Sequence, residues 1–251
     1  MSDTDKNSLD PSNKVFALNA DSVVVDNGDF VIREKQTLPM VINRDRPGYI
    51  DSSYVSSKFY NGFNFLKLPD QYRKLHMVFG VTSSQRGEGK TLIASNMAAS
   101  LAQAYECKTV LVDLNFKKPK LHSIFGLKAN PGVIETLQGE KMNVSKTAID
   151  NLFVLPAGNH RSYTPGVHDI SMLRKLITTL KDSFDFVIVD MNSVFPIQQY
   201  PILFANEMDG LFAVVDTQYT KKEEIDNIYR HIQEQQVIGY IFNKVDKNNT
   251  Y

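Results

Sequence analysis

The stretch Val81-Thr-Ser-Ser-Gln-Arg-Gly-Glu-Gly-Lys-Thr91 limits what this chain can fold into more than any other feature. An apolar run ending at Gly80 precedes it, and a small-residue run from Leu92 to Tyr105 follows it. Strand, glycine loop and helix in that order are the setting in which backbone amides cradle phosphate. Gly87 and Gly89 lack a Cβ, so the chain can bend and bring its N–H groups against phosphate oxygens. The positive end of the following helix adds to that attraction. Lys90 is placed to reach the terminal phosphates, and the Thr91 hydroxyl to ligate a divalent cation. One position departs from the Gly-x-x-x-x-Gly-Lys-[Ser/Thr] pattern: Ser84 stands where the first glycine is expected. A turn that merely caps a helix would not need Gly-Glu-Gly-Lys-Thr in this order.

The chain around the loop predicts its architecture. Met77 to Thr82 is nearly all apolar, as a parallel strand covered on both faces must be. After the loop, Ala94, Ala98 and Ala102 form one helical row beside Ile93, Met97 and Leu101, small residues for close approach and larger ones for the seam. Further strands are expected over 108–113, 151–158, 184–190, 209–216 and 237–243, with helices over 169–183 and 221–235. This alternation predicts an α/β fold whose mostly parallel sheet carries helices on both faces, and the phosphate loop within it makes the expected fold P-loop NTPase-like. Ahead of the loop, Asp51 to Leu68 reads as a helix capped by Asp51 or Ser52, with Val55, Phe59, Phe63 and Leu66 on its apolar side. Residues 1–50 are richer in Asp, Ser and Asn and broken by Pro39, Pro47 and Gly48. They predict a polar, partly disordered arm with a short hairpin, followed by a nucleotide-binding domain over 51–251.

Charge and cysteine content narrow the class. Lysine plus arginine and aspartate plus glutamate both number 28, so there is no global basic field for nucleic acid or a membrane surface. The single cysteine, Cys107, excludes an internal disulfide and fits a reducing compartment. No apolar run approaches the roughly 20 residues of a spanning helix. The start MSDTDKNSLDPSN has neither a basic opening nor an apolar core, so a secretory signal is not expected. These readings together lead to the expectation of a cytoplasmic protein without a direct membrane span or a nucleic-acid partner.

The candidate chemistry lies at strand ends, where open parallel sheets place their ligands. Asp190 closes Phe-Asp-Phe-Val-Ile-Val-Asp and is placed to hold Mg²⁺ or its waters. Asp113 closes Lys-Thr-Val-Leu-Val-Asp in the same way, with Asn115 and Lys117 near the same edge. Thr91, Asp113 and Asp190 are the candidate metal ligands, and Lys90, Asp113 and Asp190 the candidate catalytic groups. Nucleotide contacts are expected from Ser84, Arg86, Gly87, Glu88, Gly89, Lys90, Thr91 and Leu92, and Asn243 stands at a third strand end. The group Lys117, Lys118, Lys120 and His122 reads either as a solvated helix start or as a contact for phosphate or an acidic partner.

The loop, the segment Val110 to Leu127, Leu155-Pro-Ala-Gly158, and Asp190 followed by Asn206-Glu-Met-Asp-Gly-Leu-Phe-Ala-Val-Val215 together resemble the bacterial tyrosine autokinases. These are ATPase-like modules of capsule and exopolysaccharide assembly, relatives of the partition ATPases. The resemblance implies ATP and Mg²⁺ at Gly87, Gly89, Lys90 and Thr91, and Mg²⁺ or catalytic roles for Asp113 and Asp190. It places Asn243 near the adenine. It also implies a membrane-anchored polysaccharide chain-length (co-polymerase) partner recruiting the chain to the inner face of the membrane, and phosphorylation of a tyrosine-rich tail between neighbouring subunits.

Four departures stand out. The family's Asp-x-Asp-x-Arg reads Asp113-Leu-Asn115-Phe-Lys117, and Asn115 has no negative charge and accepts no proton at neutral pH. Asp-Thr-Pro-Pro becomes Asp190-Met-Asn-Ser193, and a later aspartate of that segment is matched by Gln199. The subunit-contact motif Glu-x-x-Arg-x-x-Arg is absent near Tyr54, Ser57 and Tyr60. After Asn243 only Tyr251 remains of a tyrosine cluster. The expectation is an ATP-binding relative with weak or no tyrosine kinase activity that regulates polysaccharide export; an active autokinase, with a homo-oligomer left open, is the alternative. A partition-type ATPase would want a lysine where Gln85 stands, and the GTPase-like Asn243-Lys-Val-Asp246 lacks its Asp-x-x-Gly counterpart.

Overall fold

The structure, a computed structural model, describes residues 76–161, 163–195, 204–232 and 237–244, together with the strands of residues 14–17, 21–26 and 29–35. Among the described residues, ten strands and five helices follow in chain order. The strands are β1 (Lys14–Ala17), β2 (Asp21–Asp26), β3 (Asp29–Lys35), β4 (Met77–Ser83), β5 (Thr109–Asp113), β6 (Ser145–Lys146), β7 (Leu152–Leu155), β8 (Phe186–Asp190), β9 (Gly210–Asp216) and β10 (Val237–Asn243). The helices are α1 (Lys90–Ala104), α2 (Leu121–Ile124), α3 (Val133–Leu137), α4 (Asp169–Ser183) and α5 (Lys222–His231).

Eight strands form the main sheet in the order β1-β10-β9-β4-β8-β5-β7-β6. Every pairing is parallel except that of the short edge strand β6 with β7. The N-terminal stretch supplies the opposite edge strand, β1, and its β2 and β3 pair antiparallel as a separate hairpin. The helix expected over Asp51 to Leu68 lies outside the described residues.

The mostly parallel sheet predicted from the alternation of strand and helix is the one observed, and its strands show why they are so uniformly apolar. Successive residues serve opposite faces: Val110 and Val112 join one core while Leu111 joins the other, and Val187 and Val189 oppose Phe186 and Ile188. The face that receives Leu111 is covered by α1, whose Ala94, Ala98 and Ala102 are fully buried beside Met97 and Leu101. The other face is covered by α4 through Leu173, Leu176, Ile177 and Leu180, and by α5 through Ile228. A strand with both faces covered cannot alternate polar and apolar residues, because every side chain leaves water. Among the described residues, no helix is long and apolar enough to cross a membrane.

Candidate functional site

Parallel pairing brings the carboxyl ends of the central strands to one edge. Asp113 of β5 is in register with Asp190 of β8, Val81 of β4 with Asp190, and Asp216 of β9 with Asn243 of β10. The three strand-end groups singled out in the sequence therefore share one edge. Asp216, which closes an apolar strand just as Asp113 and Asp190 do, joins them and was legible by the same rule.

Between β4 and α1 the loop turns on two glycines, Gly87 at φ 89° and Gly89 at φ 101°. This left-handed region strains a residue with a Cβ. Gly89 caps α1, and its carbonyl accepts the Ile93 amide at 3.0 Å. A Cβ there would lie 2.2 Å from Asn243 Nδ2, so the site needs glycine for space as well as for conformation. Ser84, by contrast, is not among the residues of positive φ. Its buried hydroxyl donates to both carboxylate oxygens of Glu88, at 3.1 and 3.2 Å. The missing first glycine is thus replaced by a side-chain clamp across the loop.

Glu88 is only 3% exposed and works as a hub. Its carboxylate also accepts the Gln85 amide at 2.5 Å, the Thr220 hydroxyl, and the Asp216 amide at 3.4 Å. Asn243 Nδ2 donates to the Glu88 carbonyl at 2.7 Å, and Lys244 Nζ reaches both the Gly87 carbonyl at 3.1 Å and Asp216 Oδ2 at 2.6 Å. Gln85 Nε2 donates to Glu224 on α5. The back of the loop is therefore fastened to the ends of β9 and β10. Expected as nucleotide contacts, Ser84, Glu88 and Asn243 are here occupied in holding the loop, and none of them lines the cavity described next.

That cavity, of about 480 Å³, has the loop as one wall, with Arg86, Gly87, Gly89, Lys90, Thr91 and Leu92. Facing residues come from the segment after β5, namely Asn115, Lys117, Lys118 and Lys120, and from Asn192 and Ser193 after β8. Thr91 Oγ1 donates to Asp190 Oδ2 at 2.7 Å, joining loop and strand end. Lys90 is almost fully buried, its Nζ 3.5 Å from the Gln85 carbonyl. Burial lowers its pKa, while the Asp190 and Glu88 carboxylates act to keep it charged. Burial pushes Asp190 up to about 6, against the opposing pull of the Thr91 hydroxyl and Lys90.

Asp113 is differently employed. Its Oδ1 accepts the Asn115 amide at 3.0 Å, and its Oδ2 accepts the Lys120 and Leu121 amides, each at 3.2 Å. Burial, and next the Asp190 charge, raise it well above the ordinary carboxylate range, and the three amides act in the opposite sense. Asp113 thus shapes the segment that faces the loop.

The residues fit a magnesium–nucleotide. Asp190 Oδ1 is buried without a hydrogen-bond partner, an acceptor awaiting a cation or its water. With the Thr91 hydroxyl it makes the hard-oxygen donor pair that Mg²⁺ favours. Among the described residues, no cluster of three His, Cys, Asp or Glu side chains could hold a metal alone. A cation at Thr91 and Asp190 would therefore take its remaining ligands from phosphate and water. Asn192 Nδ2, also buried and unpartnered, is a further polar group beside the cavity for which the sequence carried no signal.

A phosphate-cradling loop between a parallel strand and a helix, with a buried lysine and a hydroxyl–carboxylate pair, defines a nucleotide-binding domain of the P-loop class. Residues 79–251 match the CobQ/CobB/MinD/ParA nucleotide-binding domain (CbiA), and the chain belongs to that family. Tyrosine-protein kinase CpsD of Streptococcus agalactiae serotype III is 25% identical over 193 residues, which cover 74% of this chain and 82% of that protein. The succinoglycan biosynthesis transport protein ExoP of Rhizobium meliloti is 30% identical over 179 residues, 68% of this chain but 22% of that protein. Among solved structures, the chimerical protein CapA2B2 superposes with a TM-score of 0.65 at 27% identity, covering 77% of this chain and 86% of that one. The resemblance to bacterial tyrosine autokinases read from the motifs is borne out by these relatives.

Proposed function

We propose that this chain binds ATP with Mg²⁺ and acts as a nucleotide-responsive regulator of exopolysaccharide or capsule export, with weak or no tyrosine kinase activity. The observation that carries this reading is the division of labour between the two strand-end acids. Asp190 keeps a buried oxygen without a partner beside Thr91, which supports cation and nucleotide binding on that side. Asp113 commits both oxygens to backbone amides, and Asn115 beside it is an uncharged amide, so no spare carboxylate faces the cavity from that side.

Lys90 and the amides around Gly87 and Gly89 would hold the phosphates, and Thr91 with Asp190 would hold Mg²⁺, which when bound screens phosphate charge and polarises the terminal phosphoryl group. A positioned base supplies roughly 10²–10⁴-fold in rate. Its loss cripples transfer while leaving affinity, which comes from the loop, largely intact. Recruitment to the inner face of the cell membrane through a membrane-anchored co-polymerase belongs to the same reading, in keeping with the kinase and transport names of the relatives. In the test, purified protein is given ATP and Mg²⁺. Nucleotide binding with little phosphotyrosine is expected; a strong phosphotyrosine signal that disappears in Lys90→Ala would establish the active autokinase instead.

A further inference from the structure

The cavity beside the phosphate loop is more cationic than a nucleotide alone requires. Five of its lining side chains carry positive charge, Arg86, Lys90, Lys117, Lys118 and Lys120, and none is an acid. The chain as a whole is neutral, so this is a local concentration and not a share of a general basic surface. Lys90 and Arg86 belong to the phosphate loop. Lys117, Lys118 and Lys120 stand on the facing segment, exposed, and among the described residues no carboxylate pairs with any of them. The nearest acid in sequence, Asp113, is fully buried and turned to the backbone, and Asn115 contributes no charge.

The backbone beneath these lysines is fixed. Asp113 pins the segment at Asn115, Lys120 and Leu121, and the Asn115 side chain accepts the Lys118 amide at 3.3 Å. Three compact ammonium charges on a pinned turn suit a phosphoryl group, whose charge is recognised from many directions. Holding the backbone beforehand lowers the ordering cost of binding.

We propose that the site takes a second phosphoryl group beside those of the nucleotide, gripped by Lys117, Lys118 and Lys120 and supplied either free or on a phosphorylated side chain. This rests on the nucleotide reading above, and the experiment separates the two. The full chain is saturated with Mg²⁺ and a fluorescent (mant) ADP, then titrated calorimetrically with inorganic pyrophosphate in one arm and O-phosphotyrosine in the other, while the fluorophore reports nucleotide release. At least one probe should bind with the nucleotide retained, and Lys117→Gln/Lys118→Gln/Lys120→Gln should weaken that probe about tenfold, more than it weakens mant-ADP. Raising salt should weaken it too, because these charges are exposed. The tighter arm identifies the source.

Displacement of mant-ADP in step with probe binding would overturn the proposal, as would a triple variant whose probe affinity stays within about twofold of the parent. Should the triple variant fail to fold by circular dichroism, Lys117→Gln and Lys118→Gln singly read the same loss in smaller steps. Absence of mant-ADP binding alongside lysine-dependent pyrophosphate binding would sink the nucleotide reading and leave the lysine site standing.

Discussion

Asp190 carries the sharpest consequence of any single side chain. Its pKa in the folded state is raised to about 6 from an ordinary 3.8 by burial. In that window the unfolded chain binds fewer protons than the folded one, so stability falls as pH rises through it and stays lowered above. Asp190→Asn cannot ionise and escapes the cost. Without nucleotide or Mg²⁺, the variant should gain on the parent by on the order of 2–3 kcal/mol between about pH 4 and pH 7. Thermal melts at both pH values measure this, and an equal difference at the two would show that the buried charge is already compensated. Gly89 makes a second case. Alanine there meets a φ of 101° and the Asn243 amide at 2.2 Å. A loss of about 1–3 kcal/mol in urea unfolding is expected, together with weakened nucleotide binding as Asn243 is pushed off the Glu88 carbonyl.

The loop is an element whose outer side faces the cavity and whose inner side is bolted to β9 and β10. Glu88 is the bolt, since Ser84, Gln85, Asp216 and Thr220 all donate to one carboxylate. Glu88→Ala would strand several of those donors, and urea denaturation should show a loss of about 2–4 kcal/mol. Glu88→Gln keeps the shape but turns an amide donor toward other donors, so it should recover only part of the loss. If both variants matched the parent in stability and in nucleotide affinity, the hub would have no mechanical role. The helices add a separate check. Leu180 of α4 is fully buried in the core that also contains Val187, and Leu180→Ala should cost about 2–5 kcal/mol without altering nucleotide affinity beyond that loss of fold.

For the molecule as a whole, loop, strand ends and facing segment act together only when folded, so a ligand that needs all three must stabilise the native state. ATP with Mg²⁺ at about a hundred times its Kd should add about 2.7 kcal/mol. For a domain of this size that corresponds to a melting-temperature rise of roughly 5–10 °C. Omitting Mg²⁺ should shrink the rise, because Asp190 then faces the phosphates uncompensated. Lys90→Ala should abolish most of it. A rise independent of Mg²⁺ would remove Thr91 and Asp190 from the cation's ligands.

Strands β5, β8, β9 and β10, helices α1 and α4, and the phosphate loop were all readable along the chain, because each follows from local rules: apolar runs for doubly covered strands, periodic small residues for a buried helix, glycines for a left-handed turn. The short elements α2, α3 and β6 were not, since two to five residues carry too little periodicity to stand out. The strand-end acids were readable as candidates, but their different employments were not. Nothing local says that Asp113 turns back to the amides of Asn115, Lys120 and Leu121 while Asp190 keeps an oxygen free. Nor could the sequence explain Ser84, whose partner Glu88 is in turn held by Thr220, 132 residues further along the chain. The contacts of Thr220 with Glu88 and of Thr91 with Asp190 join segments that only the parallel sheet brings together. Both strand-end acids are equally buried, so the donors the fold sets around each one, not burial itself, decide which carboxylate oxygen is left without a partner.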